Sequence, residues 1–91
     1  LIKYKVEMES YKGLVLRNLC YTDLVYERIN KKMNWTLSKD EIEKNIFGIL
    51  KETDESQFQK TGKNIYVTNN EQNIRITINS NTYRVITVDP R

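Results

Sequence analysis

The hydrophobic period of this chain changes once, and the change divides it in two. Up to "ETDES" at residues 52–56 apolar residues recur three and four apart; beyond it they alternate with polar ones. The first spacing buries one stripe of a helix, the second one face of a strand. A chain of 91 residues closes one modest core and no more, so both halves must share it. Helices followed by antiparallel strands in one domain make an α+β fold, with two or three N-terminal helices on one face of a small sheet. The expected division of the single domain 1–91 is a helical part over 14–52 and a sheet over 58–89.

In the helical part, "LVLRNLC" after Gly13 reads as a short helix with Leu16 and Leu19 turned inward. Thr22 reads as the N-cap of the next helix, with Asp23 in its first turn. Val25, Ile29 and Met33 then recur as a core stripe. Ser38 and Glu41 have capping-box spacing ahead of Ile42, Ile46, Ile49 and Leu50. Strands are predicted over 64–68, 74–79 and 82–88, joined by "NNEQN" and by a turn at Ser80 and Asn81. Ile2, Tyr4, Val6 and Met8 alternate with charged residues, so residues 1–12 read as a fourth strand or a frayed arm.

Composition removes several kinds of chemistry. With no histidine and one cysteine, a histidine-based triad, a structural zinc centre and an internal disulfide are ruled out. Cys20, between Leu19 and Tyr21, reads as a buried structural thiol. No cofactor or metal is expected. "KTGK" lacks the long Gly-rich run of a phosphate-binding loop, and Gly62 leads into a strand, so Gly62 reads as turn geometry. No apolar run approaches the ~20 residues of a membrane span, and "LIKYKVEMES" is unlike a secretion signal. A cytoplasmic protein with no membrane partner is the expectation. Charge is segmental: residues 1–33 and 57–91 are each net +3, and residues 34–56 are net −3. Basic flanks of this kind steer polyanions even at modest total charge.

Alternation assigns the faces of the sheet. Ile65, Val67, Ile74, Ile76, Ile78, Ile86 and Val88 are expected to meet the helices. Asn64, Tyr66, Thr68, Arg75, Thr77, Asn79, Tyr83, Val85 and Thr87 then turn outward, with Arg84 at the core-side rim and Lys60 and Lys63 on the loop "QKTGKN". Tyrosine faces stack unpaired bases, cations hold phosphates, and Thr and Asn bond sugar and base edges. The candidate nucleic-acid-binding set is therefore Lys60, Lys63, Tyr66, Arg75, Thr77, Asn79, Tyr83, Arg84 and Thr87.

The segments "YTDLVYERINKKM", "GKNIYVT" and "ITINSNTYRVIT" resemble a domain-of-unknown-function family of small bacterial and phage proteins, over roughly residues 14–88. More distantly, helices followed by a sheet ending in a Tyr- and Thr-bearing hairpin are similar to small toxin ribonucleases of the RelE and colicin-nuclease type. That resemblance implies metal-free RNA cleavage by the RNA's own 2′-hydroxyl. It would cast Lys63 (or Lys60) as phosphate holder or proton donor, Arg75 (or Arg84) as phosphorane stabiliser, and Tyr83 (or Tyr66) in stacking or proton transfer. Lys and Tyr titrate near 10.4 and 10, so either needs a shift of roughly 3 units, about 4 kcal/mol, to act at neutrality. RNA is the expected partner, bound or cleaved. The alternative is a protein-binding inhibitor, such as a phage counter-defence or toxin-neutralising factor, that presents the acidic helix 40–55 or a sheet edge to a bacterial protein. A structural oligomer built on Tyr26, Trp35 and Leu37 is the third reading.

Overall fold

A computed structural model describes residues 10–91. The expected N-terminal strand falls on Ile2 to Met8 and lies outside the described residues. The helices are α1 (Tyr11–Asn18), α2 (Val25–Met33) and α3 (Lys39–Glu52), followed by a 3-10 turn, Glu55–Gln57. The strands are β1 (Phe58–Thr61), β2 (Asn64–Asn69), β3 (Ile74–Asn79) and β4 (Val85–Pro90). They form one antiparallel sheet in the order β1-β2-β3-β4. The fold is α+β, and the fourth strand is β1, from the C-terminal half of the chain. No described helix is long and apolar enough to cross a membrane.

The helices start and stop where local chemistry satisfies their free backbone groups. Ser10 accepts from the Gly13 amide, so α1 begins before Gly13 rather than after it. Its fully buried residue is Val15, with Leu16 and Leu19 only partly covered. The predicted cap at Thr22 is corrected: Leu24 occupies the N-cap of α2 and offers no side-chain bond, while the Thr22 carbonyl accepts from the Val25 amide at 3.2 Å. Val25 and Ile29 are buried as the stripe requires. The Ser38–Glu41 capping box forms in full. At the other end of α3, Lys12 Nζ donates to the carbonyls of Lys51 and Thr53 at 2.8 and 2.7 Å. That places a cation on the negative end of the helix dipole.

Ile42, Ile46, Ile49 and Leu50 pack with Phe58, Ile65, Val67, Ile74, Ile76, Ile78, Val85 and Val88 into one core between helices and sheet. Tyr26, Trp35 and Leu37, the residues of the oligomer reading, pack partly buried against that core. In the last strand the register corrects the alternation. Thr77 pairs with Thr87 but Ile78 pairs with Val85, so Ile86 is an extra residue in a β-bulge. A bulge reverses the phase of the residues before it. Val85 is consequently 2% exposed, and Ile86, expected in the core, is 36% exposed.

Candidate nucleic-acid interface on the outer sheet face

Cross-strand partners in an antiparallel ladder point to the same side, so the pairings define rows on the face turned away from the helices. One row holds Gln59, Tyr66, Thr77 and Thr87; the row on one side holds Thr68, Arg75 and Asp89; the row on the other holds Thr61, Asn64 and Asn79. Arg75 is diagonal to Tyr66, and its guanidinium carbon lies 5.0 Å from the centre of the Tyr66 ring. This is cation–π geometry, worth ~0.5–1 kcal/mol at an exposed position. Asn64 Nδ2 donates to the Tyr66 hydroxyl at 3.3 Å. The ring is thus held at its face by Arg75 and at its tip by Asn64. Thr77 is 6% exposed, and the Thr87 hydroxyl is buried with no hydrogen-bond partner among the described residues.

Lys63 stands at the rim of this face. Gly62, at φ +63°, and Lys63 form the two-residue turn between β1 and β2. Positive φ at the first central residue alone is the type II′ pattern, which matches the twist of a hairpin. The Ser80 amide and hydroxyl both donate to the Lys63 carbonyl, at 2.7 and 2.8 Å. The first and last hairpin turns are therefore tied together, which sets Lys63 beside Asn64 and Asn79.

Three of the sequence candidates lie elsewhere. Lys60 belongs to β1 rather than to a loop, and it pairs with Ile65, a core residue. Its Cβ therefore points to the helix side, opposite Tyr66 and Arg75. Tyr83 precedes β4 in the left-handed conformation, φ 60°, and packs partly buried against the core. Its amide donates to the Asn79 carbonyl and its carbonyl accepts from the Cys20 amide, at 2.9 and 3.0 Å. The outward placement expected of Tyr83 assumed an unbroken strand from Thr82; the turn around Asn79, whose side chain accepts from the Asn81 and Thr82 amides, breaks it. Arg84 is exposed at the start of β4 and borders a hollow shared with α2. Cys20 is exposed, correcting the buried thiol, and its Sγ–H donates to the Thr82 carbonyl at 3.3 Å. The backbone of Cys20 does the structural work, as a one-residue parallel bridge to Arg84.

A second cluster on the helix side escaped sequence reasoning, because its members come from different elements. Tyr21 stacks on Tyr26 with ring centres 5.3 Å apart and planes at 16°. Tyr26 donates to Glu43 Oε2 at 2.5 Å, and Lys39 Nζ lies 5.2 Å from the Tyr26 ring centre. Burial, then the Glu43 bond and its charge, push Tyr26 up to about 12. Burial and the Glu43 charge raise Tyr21 as well. Both shifts favour the neutral phenol, which suits packing and opposes proton abstraction near neutrality. Among the described residues, no group of three or more Cys, Asp and Glu is placed to hold a metal ion.

Neither the curated proteins nor the solved structures contain a match to this chain. Residues 14–89, which run from within α1 to within β4 and so reach every strand of the outer face, match the family described as "Protein of unknown function (DUF3781)", and the chain belongs to that family.

Proposed function

We propose that this protein binds single-stranded RNA on the outer face of its sheet. The observation that carries the reading is the Tyr66–Arg75 pair at 5.0 Å. It presents an aromatic ring and a guanidinium plane together, and both stack unpaired bases. Around the pair, Asn64, Thr68 and Asn79 supply short polar groups suited to 2′-hydroxyls and base edges, while Thr77 and the Thr87 hydroxyl are buried. Lys63 at the rim supplies a phosphate contact. Cleavage as implied by the RelE-type resemblance requires a lysine, an arginine and a tyrosine to meet at one phosphate within hydrogen-bond reach, with Tyr83 or Tyr66 as the tyrosine. Tyr83 packs toward the core while Arg75 is on the opposite face, which counts against the Tyr83 set, whereas Tyr66 shares the face of Arg75. Binding is the reading the stacked pair supports best, and new RNA ends are an outcome of its test.

The sheet edges favour RNA over a protein that adds a strand. β1 is four residues long and carries Lys60, and β4 carries a bulge and Pro90; each is a device that discourages strand addition. Several acids of the 40–55 segment are already engaged: Glu41 in the capping box, Glu43 with Tyr26, and Asp54 with Ser56.

The test is anisotropy titration of a short labelled single-stranded RNA in EDTA across a salt series. Tyr66→Ala should weaken binding about 5- to 150-fold, the equivalent of one stacked base at ~1–3 kcal/mol. Arg75→Ala should weaken binding and flatten the log–log salt slope by about 0.7 if it contacts one phosphate. An absence of binding at low salt, or unchanged binding in Tyr66→Ala, refutes the proposal. New RNA ends that depend on Lys63 would replace binding with catalysis.

A further inference from the structure

Two large aliphatic side chains are held out of the core by the backbone around them, and both border one hollow. Leu24 is 78% exposed at the N-cap of α2, a position where Ser, Thr, Asp or Asn stabilises a helix and leucine does not. Ile86 is 36% exposed because it is the extra residue of the β4 bulge. With Val25 and Val85 they line a hollow of about 250 Å³, and Arg28 and Arg84 complete its rim. Lys31 extends the positive charge along α2 beside Leu24, with Glu27 as the acid at that border. Among the described residues Lys32 has a carboxylate partner, Asp89 at 2.7 Å, whereas Arg28, Lys31 and Arg84 have none.

We propose that this hollow docks an acidic, amphipathic helical segment of a partner protein. One leucine- or phenylalanine-sized side chain of the partner fills the space between Leu24 and Ile86, and carboxylates beside it pair with Arg28, Arg84 and Lys31. Charge complementarity selects an acidic partner, and the apolar floor distinguishes it from a polyanion, which needs only the cations. The partner engages through side chains rather than as an added strand, because the Val85 amide is already bonded to the Cys20 carbonyl at 3.0 Å. Arg28 Nη1 also reaches the Ile86 carbonyl, at 3.5 Å. Helix-in-groove docking reads anchors at i, i+3, i+4 and i+7. The proposal is independent of the RNA reading, whose residues lie on the other face of the sheet.

The probe is a labelled synthetic helix with leucines at those anchor positions and glutamates elsewhere. Its controls are the same peptide with serine for leucine and the single-stranded RNA used above. Saturable binding of the leucine peptide is expected, with amide NMR shifts confined to residues 22–31 and 84–87. The double variant L24S/I86T should bind the peptide at least about tenfold more weakly, a loss of ~1.4 kcal/mol, and should bind RNA as the parent does. R28Q should weaken the peptide and lessen its salt dependence. Both sites are exposed, and circular dichroism of each variant confirms that it is folded. Equal binding of the serine control, or unchanged binding by L24S/I86T, overturns the proposal. RNA that displaces the peptide and loses affinity in R28Q also overturns it, by assigning the hollow to a polyanion.

Discussion

Thr53 and Asn69 form a buried polar relay that should break cooperatively. Thr53 is 3% exposed and Asn69 6%. Asn69 Nδ2 donates to Thr53 Oγ1 at 2.9 Å, and that hydroxyl donates to the Ile49 carbonyl at 2.6 Å. Asn69 Oδ1 accepts from the Gln72 amide at 2.8 Å. The Thr53 amide bonds the Leu50 carbonyl at 3.2 Å, so its hydroxyl is what serves the Ile49 carbonyl near the end of α3. The relay thereby joins α3, β2 and the β2–β3 turn. Thr53→Val keeps the shape and removes both hydroxyl bonds. It leaves a buried carbonyl and a buried amide without those partners, at ~1–3 kcal/mol each, so the expected loss is about 2–5 kcal/mol. Asn69→Ala removes the shared bond and the turn bond, for about 2–4 kcal/mol. Because the Asn69–Thr53 bond counts in both, the double variant should cost less than the sum by about 1–2 kcal/mol. Domain stability is ~5–15 kcal/mol, so the single variants should fold. Thr53→Val should melt lower by roughly 8–40 °C, at ~4–8 °C per kcal/mol for a domain this small. Urea unfolding of the parent, both singles and the double, followed by circular dichroism, gives the cycle. Additivity within ~0.5 kcal/mol, or a Thr53→Val cost under ~1 kcal/mol, would refute the relay.

Two further outcomes follow from the geometry. The folded protein keeps Tyr26 protonated to about 12 against 10.0 for the free side chain, so its contribution to stability is complete below pH 10 and is lost as pH rises from there toward 12. Tyrosinate absorbance should show a late ionisation that Glu43→Gln moves earlier; an unmoved curve would contradict the role given to Glu43. Gly62→Ala should destabilise by ~1–2 kcal/mol, because a Cβ at φ +63° is strained although nothing lies within 4 Å of it. Gly48→Ala should instead stabilise by ~0.5–1 kcal/mol, since its added Cβ is also unobstructed and the residue is inside α3. Shifts of the same sign in thermal unfolding would contradict this pairing.

Much of the fold was legible because it depends on short-range periodicity. The stripe of α3, its capping box and the inward isoleucines of β2 and β3 follow from spacings of two, three and four residues. The failures share a cause as well. Thr22 has the chemistry of a cap, yet the chain places Leu24 there; Cys20 has the composition of a core residue, yet its backbone is what pairs with β4. On the candidate interface, Tyr66, Arg75, Thr77, Asn79 and Thr87 fell on the predicted face, because alternation holds through β2, β3 and the part of β4 that follows its bulge. Lys60 and Tyr83 did not, since one lies in a strand that looked like a loop and the other in a turn that looked like a strand.

By itself the sequence determined the fold class, the precedence of helices over the sheet, and the inward faces of α3, β2 and β3, because each is a repeat of one residue type at a fixed local interval. Only the tertiary structure decided the rest. A single extra residue in β4 reversed the phase of Val85 and Ile86, strand pairing set Arg75 against Tyr66, and packing of α2 on β4 gathered Arg28 and Arg84 around one hollow. Phase, pairing and packing join residues far apart in the chain, and local periodicity carries no record of which distant residues will meet.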